Sequence, residues 1–124
     1  MTDEWLRAKF AVLNERHFAG SLPPPGAFMV WARTNASYAG YTQGLGASFI
    51  YVTREAFAKG EDFATDSLLH EMIYHAVFAL YAEDHQNHGK RFVEIANRIA
   101  GELGLTSVGA DSQEASVWPQ TLRT

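Results

Sequence analysis

Apolar positions recur along this chain first with a helical period, then in strand-like clusters, then with a helical period again. Leu6, Phe10, Leu13 and His17 follow i, i+4, i+7 spacing, with Trp5, Ala8 and Val12 beside them, which predicts one apolar stripe on an otherwise charged helix. Thr2 or Asp3 caps this helix, and it runs to about His17. The stripe reads as a packing face, and His17 as a partly buried structural residue. Gly20 stops the helix. Leu22-Pro23-Pro24-Pro25-Gly26 cannot continue it, because proline lacks the amide donor and restricts the residue before it. Three strand candidates follow. Residues 28–33 and 48–53 are rich in sheet formers. Residues 37–43 are weaker, and Gly40 there marks a bulge or a close approach. Thr34-Asn35-Ala36 and Gly44-Leu45-Gly46 read as hairpin loops.

The second half is helical. Residues 54–59 form a short helical turn ending at Gly60, and residues 61–65 are a polar lead-in. Leu69, Met72, Ile73, Ala76 and Leu80 then restore helical spacing. Thr65 or Asp66 caps this second long helix, which runs to about Ala82. A polar connector over residues 83–87 leads to a third helix from Gly89 or Lys90 to Leu103. Phe92, Ile95, Ala96, Ile99 and Leu103 share its inner face, and Gly104 ends it. From Thr106 the sequence turns small and polar. Residues 1–105 thus read as one domain and residues 106–124 as a tail, irregular or docked on the body through Val117 and Trp118.

Composition narrows the chemistry. The chain has 124 residues, 47% apolar and 19% charged, which is globular rather than disordered. It has no cysteine, so a disulfide scaffold, a cysteine nucleophile and a cysteine zinc ribbon are excluded. Any metal must sit on His, Asp, Glu or Tyr. The net charge of -4 offers no footprint for nucleic acid. The acidic start Met1-Thr2-Asp3-Glu4 is unlike a signal peptide, and no apolar run suits a bilayer, so a cytoplasmic protein is expected.

The most informative stretch is Leu68-Leu69-His70-Glu71-Met72-Ile73-Tyr74-His75-Ala76. It comes within one position of H-E-x-x-H, in which two histidines one helical turn apart hold a metal and the glutamate acts as base. The apolar spacing from Leu69 to Leu80 is uninterrupted, so His70 and Tyr74 share a face, with Cβ atoms about 5–6 Å apart. His75 is rotated about 100° from Tyr74, and Glu71 by as much from His70. A catalytic zinc site takes three protein ligands and a water, and the lowered pKa of that water lets a carboxylate remove its proton. His70 suits a ligand and Glu71 the base. His88 suits a further ligand, because the turn at residues 84–87 lets the chain fold back. His85, in the connector, reads as solvent-exposed.

Further matches extend along the chain in order: Leu13-Asn14-x-x-x-Phe18-x-Gly20-x-Leu22-Pro23, Trp31-x-Arg33, Gly40-Tyr41, Ile50-x-Val52, Leu69-His70-Glu71-Met72-Ile73 and His88-Gly89-x-x-Phe92. In this set the chain resembles the SprT-like family of zinc metallopeptidases, which includes the Spartan-type proteases. The likeness covers most of residues 10–104. It implies an α+β, minimal zincin-like fold: an N-terminal helix, a small three-stranded and mainly antiparallel sheet, then an active-site helix and a third-ligand helix. It also implies endopeptidase chemistry, with zinc on His70 and His88 and with Glu71 as general base. Relatives act on proteins, some of them crosslinked to DNA, and those usually carry DNA-binding elements outside the core. This sequence shows no such element, so DNA association has no support from charge.

The departure is Tyr74, where the family has its second histidine ligand. In one reading Tyr74 coordinates as phenolate, which alters metal preference and lowers Lewis acidity. In another His75 replaces it through a local π-bulge, against which the unbroken apolar spacing argues. In a third Tyr74 fills the cavity and the metal site is degraded. The function expected is a metal-dependent endopeptidase-like hydrolase with Glu71 as general base on a metal-bound water. The alternative is a catalytically impaired zincin-fold protein that binds peptide or protein. A metalloprotein with tyrosinate and other chemistry is the third, and it keeps iron or copper open beside zinc. A bound peptide would pair with the strand around residues 38–43 or 48–52.

Overall fold

The computed structural model describes residues 2–31, 39–44, 47–80 and 90–104. Helix α1 (Asp3–Phe18) starts at Thr2, whose hydroxyl accepts from the Trp5 amide at 3.1 Å. Asp3 and Glu4 in its first turn and Arg16 and His17 in its last suit the helix dipole. Leu6, Phe10, Leu13 and His17 are buried as the spacing predicts, but Val12 is 48% exposed, so the stripe is narrower than its neighbours suggested. Ala19 and Gly20, at φ 53° and 73°, turn the chain out of the helix. The Asn14 amide then pins the proline connector. Its Nδ2 donates to the Leu22 carbonyl at 3.0 Å, and its Oδ1 accepts from the Leu22 amide at 3.1 Å.

Strands β1 (Ala27–Trp31), β2 (Ala39–Gly44) and β3 (Ala47–Thr53) form one sheet in the order β1-β3-β2. β2 and β3 are antiparallel and pair up to Gly44 and Ala47, as the hairpin at Gly44-Leu45-Gly46 predicts. β1 pairs with β3 in parallel, so the three-stranded sheet is mixed, and β1 forms no hairpin with β2. The Thr34-Asn35-Ala36 loop lies outside the described residues. The reason for the mixed order lies in burial. β3 carries the fully buried Ile50 and Val52, and the parallel register sets Phe28 beside Ile50 and Val30 beside Val52 on the helix side. Gly40 pairs with Tyr51 in an unbroken register, so it is a close approach and not a bulge. A Cβ there would run into the Tyr51 ring.

Thr53 caps the short α2 (Arg54–Ala58), its hydroxyl accepting from the Ala56 amide. The chain turns at Gly60, φ 120°, into α3 (Glu61–Leu80). That start lies ahead of Thr65 and Asp66, which are helical rather than caps. Ala64 N–H donates to Gly60 O at 3.1 Å, Thr65 Oγ1 donates to Glu61 O at 2.9 Å, and Asp66 is buried. Phe63 and Ala64 join the core, and their burial outweighs the polar character that made residues 61–65 read as a lead-in. Helix α4 (Lys90–Leu103) ends at Gly104, φ 70°. α3 packs against α1, α2, α4, β2 and β3, so the core gathers round it. The tail beyond 104, with Val117 and Trp118, lies outside the described residues. Among the described residues no helix is long and apolar enough to cross a membrane.

Asn14→Ala leaves the buried Leu22 amide and carbonyl unsatisfied and should cost about 1–3 kcal/mol. Chemical denaturation measures this, and an unchanged midpoint would mean that the pin contributes nothing. Gly40→Val should cost about 1–3 kcal/mol by overpacking against Tyr51. Adding Tyr51→Ala should recover part of that loss, and purely additive losses would refute the contact.

Candidate functional site

The motif lies in the middle of α3, which stays α-helical through residues 70–75. The π-bulge that His75 would need to take over as a ligand is not formed. His70, Glu71 and His75 are buried, while Tyr74 is half-buried. The His70 and Tyr74 rings meet edge to face with centroids 5.4 Å apart, as their four-residue spacing requires. Phe92 of α4 closes the group, 5.1 Å from the His70 ring and 5.0 Å from that of Tyr74.

Glu71 is turned into the protein at 6% exposure. Among the described residues no hydrogen bond reaches its carboxyl. Burial alone pushes that carboxyl up to about 8. A buried acid without a partner is costly, and such groups concentrate where a ligand or a reaction uses them. Burial first, and then the charge of Glu71, hold the Tyr74 phenol above its ordinary range. The phenol is therefore protonated in the metal-free protein.

His75 has other surroundings. Its Nε2 donates to the Pro23 carbonyl at 2.6 Å, and its Nδ1 lies 3.1 Å from the Tyr41 hydroxyl. The Phe10 and Tyr41 rings flank it. Burial lowers its pKa, partly offset by the bond to Pro23. It is the hydrogen-bonded histidine facing the body that its helical angle predicts. His17 is likewise structural: it is buried, with Nδ1 2.8 Å from Glu102 Oε1.

The structure thus brings His70, Glu71 and Tyr74 together. His85 and His88 lie outside the described residues. Among the described residues no three His, Asp or Glu side chains gather as a metal-binding group. An imidazole, a phenol and a buried carboxyl are nonetheless donors that fit a cation, provided the phenol gives up its proton. Two features escaped the sequence. Asp66, buried one turn before His70, read as a cap although its i, i+4 spacing was visible. Tyr41, the partner of His75, is 34 residues away, and no local pattern announces it.

A family model described as the SprT-like family matches residues 6–114. No curated protein and no solved structure matches the chain. The family match runs from the first helix to beyond the last described one, across the α+β arrangement and the His70-Glu71 stretch. The chain belongs to the SprT-like family.

Proposed function

We propose that this chain is a metal-dependent hydrolase of peptide bonds, with Glu71 as its general base and His70, Tyr74 and His88 as the metal-holding set. The observation that carries the reading is the Glu71 carboxyl, buried beside the His70–Tyr74 ring pair with no hydrogen bond among the described residues. A divalent ion such as zinc would supply the positive charge that ionises Glu71 and the Lewis acidity that activates water and carbonyl. His70 offers an imidazole from a rigid, buried helix. Glu71, one residue on, takes the proton of the attacking water and can return it to the leaving amine. The contact of Phe92 with both rings supports His88, which stands four residues earlier in His88-Gly89-x-x-Phe92.

The substrate is an extended peptide added to the sheet. β3 is central and has no free edge. At the edge strand β1 the Val30 amide is already taken by Asp3 Oδ1 at 2.8 Å. That leaves β2 as the receiving strand.

One observation favours a second reading, a peptide-binding protein with impaired hydrolysis. The Tyr74 phenol is held protonated by burial and by Glu71, so coordination must first displace its proton. Tyr74→His removes that obstacle. Changes to groups that merely orient a ligand already shift metal affinity by about 10–100-fold, so exchanging a ligand by Tyr74→His should raise zinc affinity by at least about tenfold, read by competition with a chelator. Unchanged affinity would remove position 74 from the metal-holding set. The zinc-loaded Tyr74→His protein should cleave casein, and adding Glu71→Gln should abolish cleavage while zinc content stays the same. A loaded Tyr74→His protein with no Glu71-dependent cleavage leaves the binding reading in place of the hydrolase.

A further inference from the structure

His75 is buried next to the motif tyrosine and takes no part in the chemistry assigned to His70, Glu71 and Tyr74. Both of its ring nitrogens are engaged. Nε2 lies 2.6 Å from the Pro23 carbonyl oxygen, which can only accept, so Nε2 carries the proton. Nδ1 is then the acceptor of the neutral ring, and the Tyr41 hydroxyl 3.1 Å away donates to it. Three parts of the chain meet at this imidazole: the motif helix α3, the connector after α1, and the middle of β2. The connector is held independently by Asn14 on Leu22. Among the described residues β2 pairs with β3 on one side only. Beside the bridge is a cavity of about 190 Å³ lined in part by Pro24, Ser48 and Phe78. Close packing is incomplete there, so directional bonds carry more of the contact.

Glu71 and His75 stand four residues apart and are neighbours on one side of α3. The bridge therefore grips the helix one turn beyond the proposed base. We propose that His75 is a positioning residue: through Tyr41 and Pro23 it holds the edge strand β2 at a set distance from Glu71. This rests on the reading of β2 as the strand that takes an extended peptide. A peptide paired with β2 inherits that strand's place, and a displacement of about 1 Å from the reacting geometry can cost about 100-fold in rate.

The test compares the full chain with Tyr41→Phe, His75→Phe and His75→Gln. Hydrogen exchange is followed over residues 39–44 and 61–80, together with the affinity for a fluorescein-labelled casein peptide. His75→Phe should speed exchange in β2 about tenfold, the scale of one lost hydrogen bond, and weaken peptide binding by a similar factor, and Tyr41→Phe, which also loses the Ser48 contact, should do at least as much. Exchange in α3 should stay at the parental rate. Glutamine can donate to Pro23 and accept from Tyr41, so His75→Gln should stay close to the parent in both readouts. Should His75→Phe fail to fold, Tyr41→Phe, which removes a single oxygen, carries the comparison. Parental exchange and affinity in Tyr41→Phe overturn the proposal, as does exchange that rises equally in β2 and α3. A selective response of β2 in a chain that binds no peptide, the parent included, keeps the bridge and overturns the peptide reading beneath it.

Discussion

A helix buried on nearly every side has to account for each of its polar side chains, and this constraint organises the protein. α3 is wrapped by α1, α2, α4 and the sheet, with Leu68, Leu69, Met72, Ile73 and Ala76 all but fully buried. It nevertheless carries Asp66, Ser67, His70, Glu71 and His75 into the same interior. Ser67 returns its hydroxyl to the Phe63 carbonyl one turn back. His75 bonds to Pro23 and Tyr41. No hydrogen bond reaches the Glu71 carboxyl among the described residues, and burial drives it toward the neutral form. The fold tolerates an energetic cost at this carboxyl, and such costs concentrate where a ligand or a reaction uses the group.

The rest of the fold serves to cover α3. α1 supplies Leu6, Phe10 and Leu13, and Asn14 at its far end turns the chain back through Leu22. The sheet follows the same demand. β3 is central because Ile50 and Val52 are fully buried, and β1 joins it in parallel so that Phe28 and Val30 face the same way. β2 is left outermost, tied to α3 by Tyr41. The covering layer thus also places the outermost of the described strands beside the motif helix.

Tyr74 is where the covering layer and the proposed chemistry conflict. Its ring packs against His70 and Phe92 as a core aromatic would, and this stabilises the interface of α3 with α4. The same burial opposes ionisation of the phenol, which coordination would require. A histidine there could bind a cation in its neutral form without that cost. In the proposed site a tyrosine at this position therefore adds apolar contact and would raise the threshold for metal binding together.

Much of this was legible in the sequence, because helical periodicity and end signals are local. The stripe Leu6–Phe10–Leu13–His17, the face Phe92–Ile95–Ile99 and the stop at Gly104 all appear as read. The unbroken spacing through Leu69, Met72, Ile73 and Ala76 also predicted that Tyr74 faces His70 and that His75 faces the body. Residues 61–65 misled because capping residues and buried polar residues are the same amino acids, and only packing tells them apart. The hairpin of β2 with β3 was legible, but the pairing of β1 was not. β1 carries no local mark that separates a hairpin with β2 from a parallel pairing with β3, since register and order follow from which apolar faces the helices cover. The sequence by itself determined the helices, the rotation of the motif around α3 and the candidate donors. Only the tertiary structure decided that Glu71 is buried, that Phe92 closes on His70 and Tyr74, and that Tyr41 reaches His75. Desolvation and long-range hydrogen bonds depend on what packs against a residue, and no local pattern contains that.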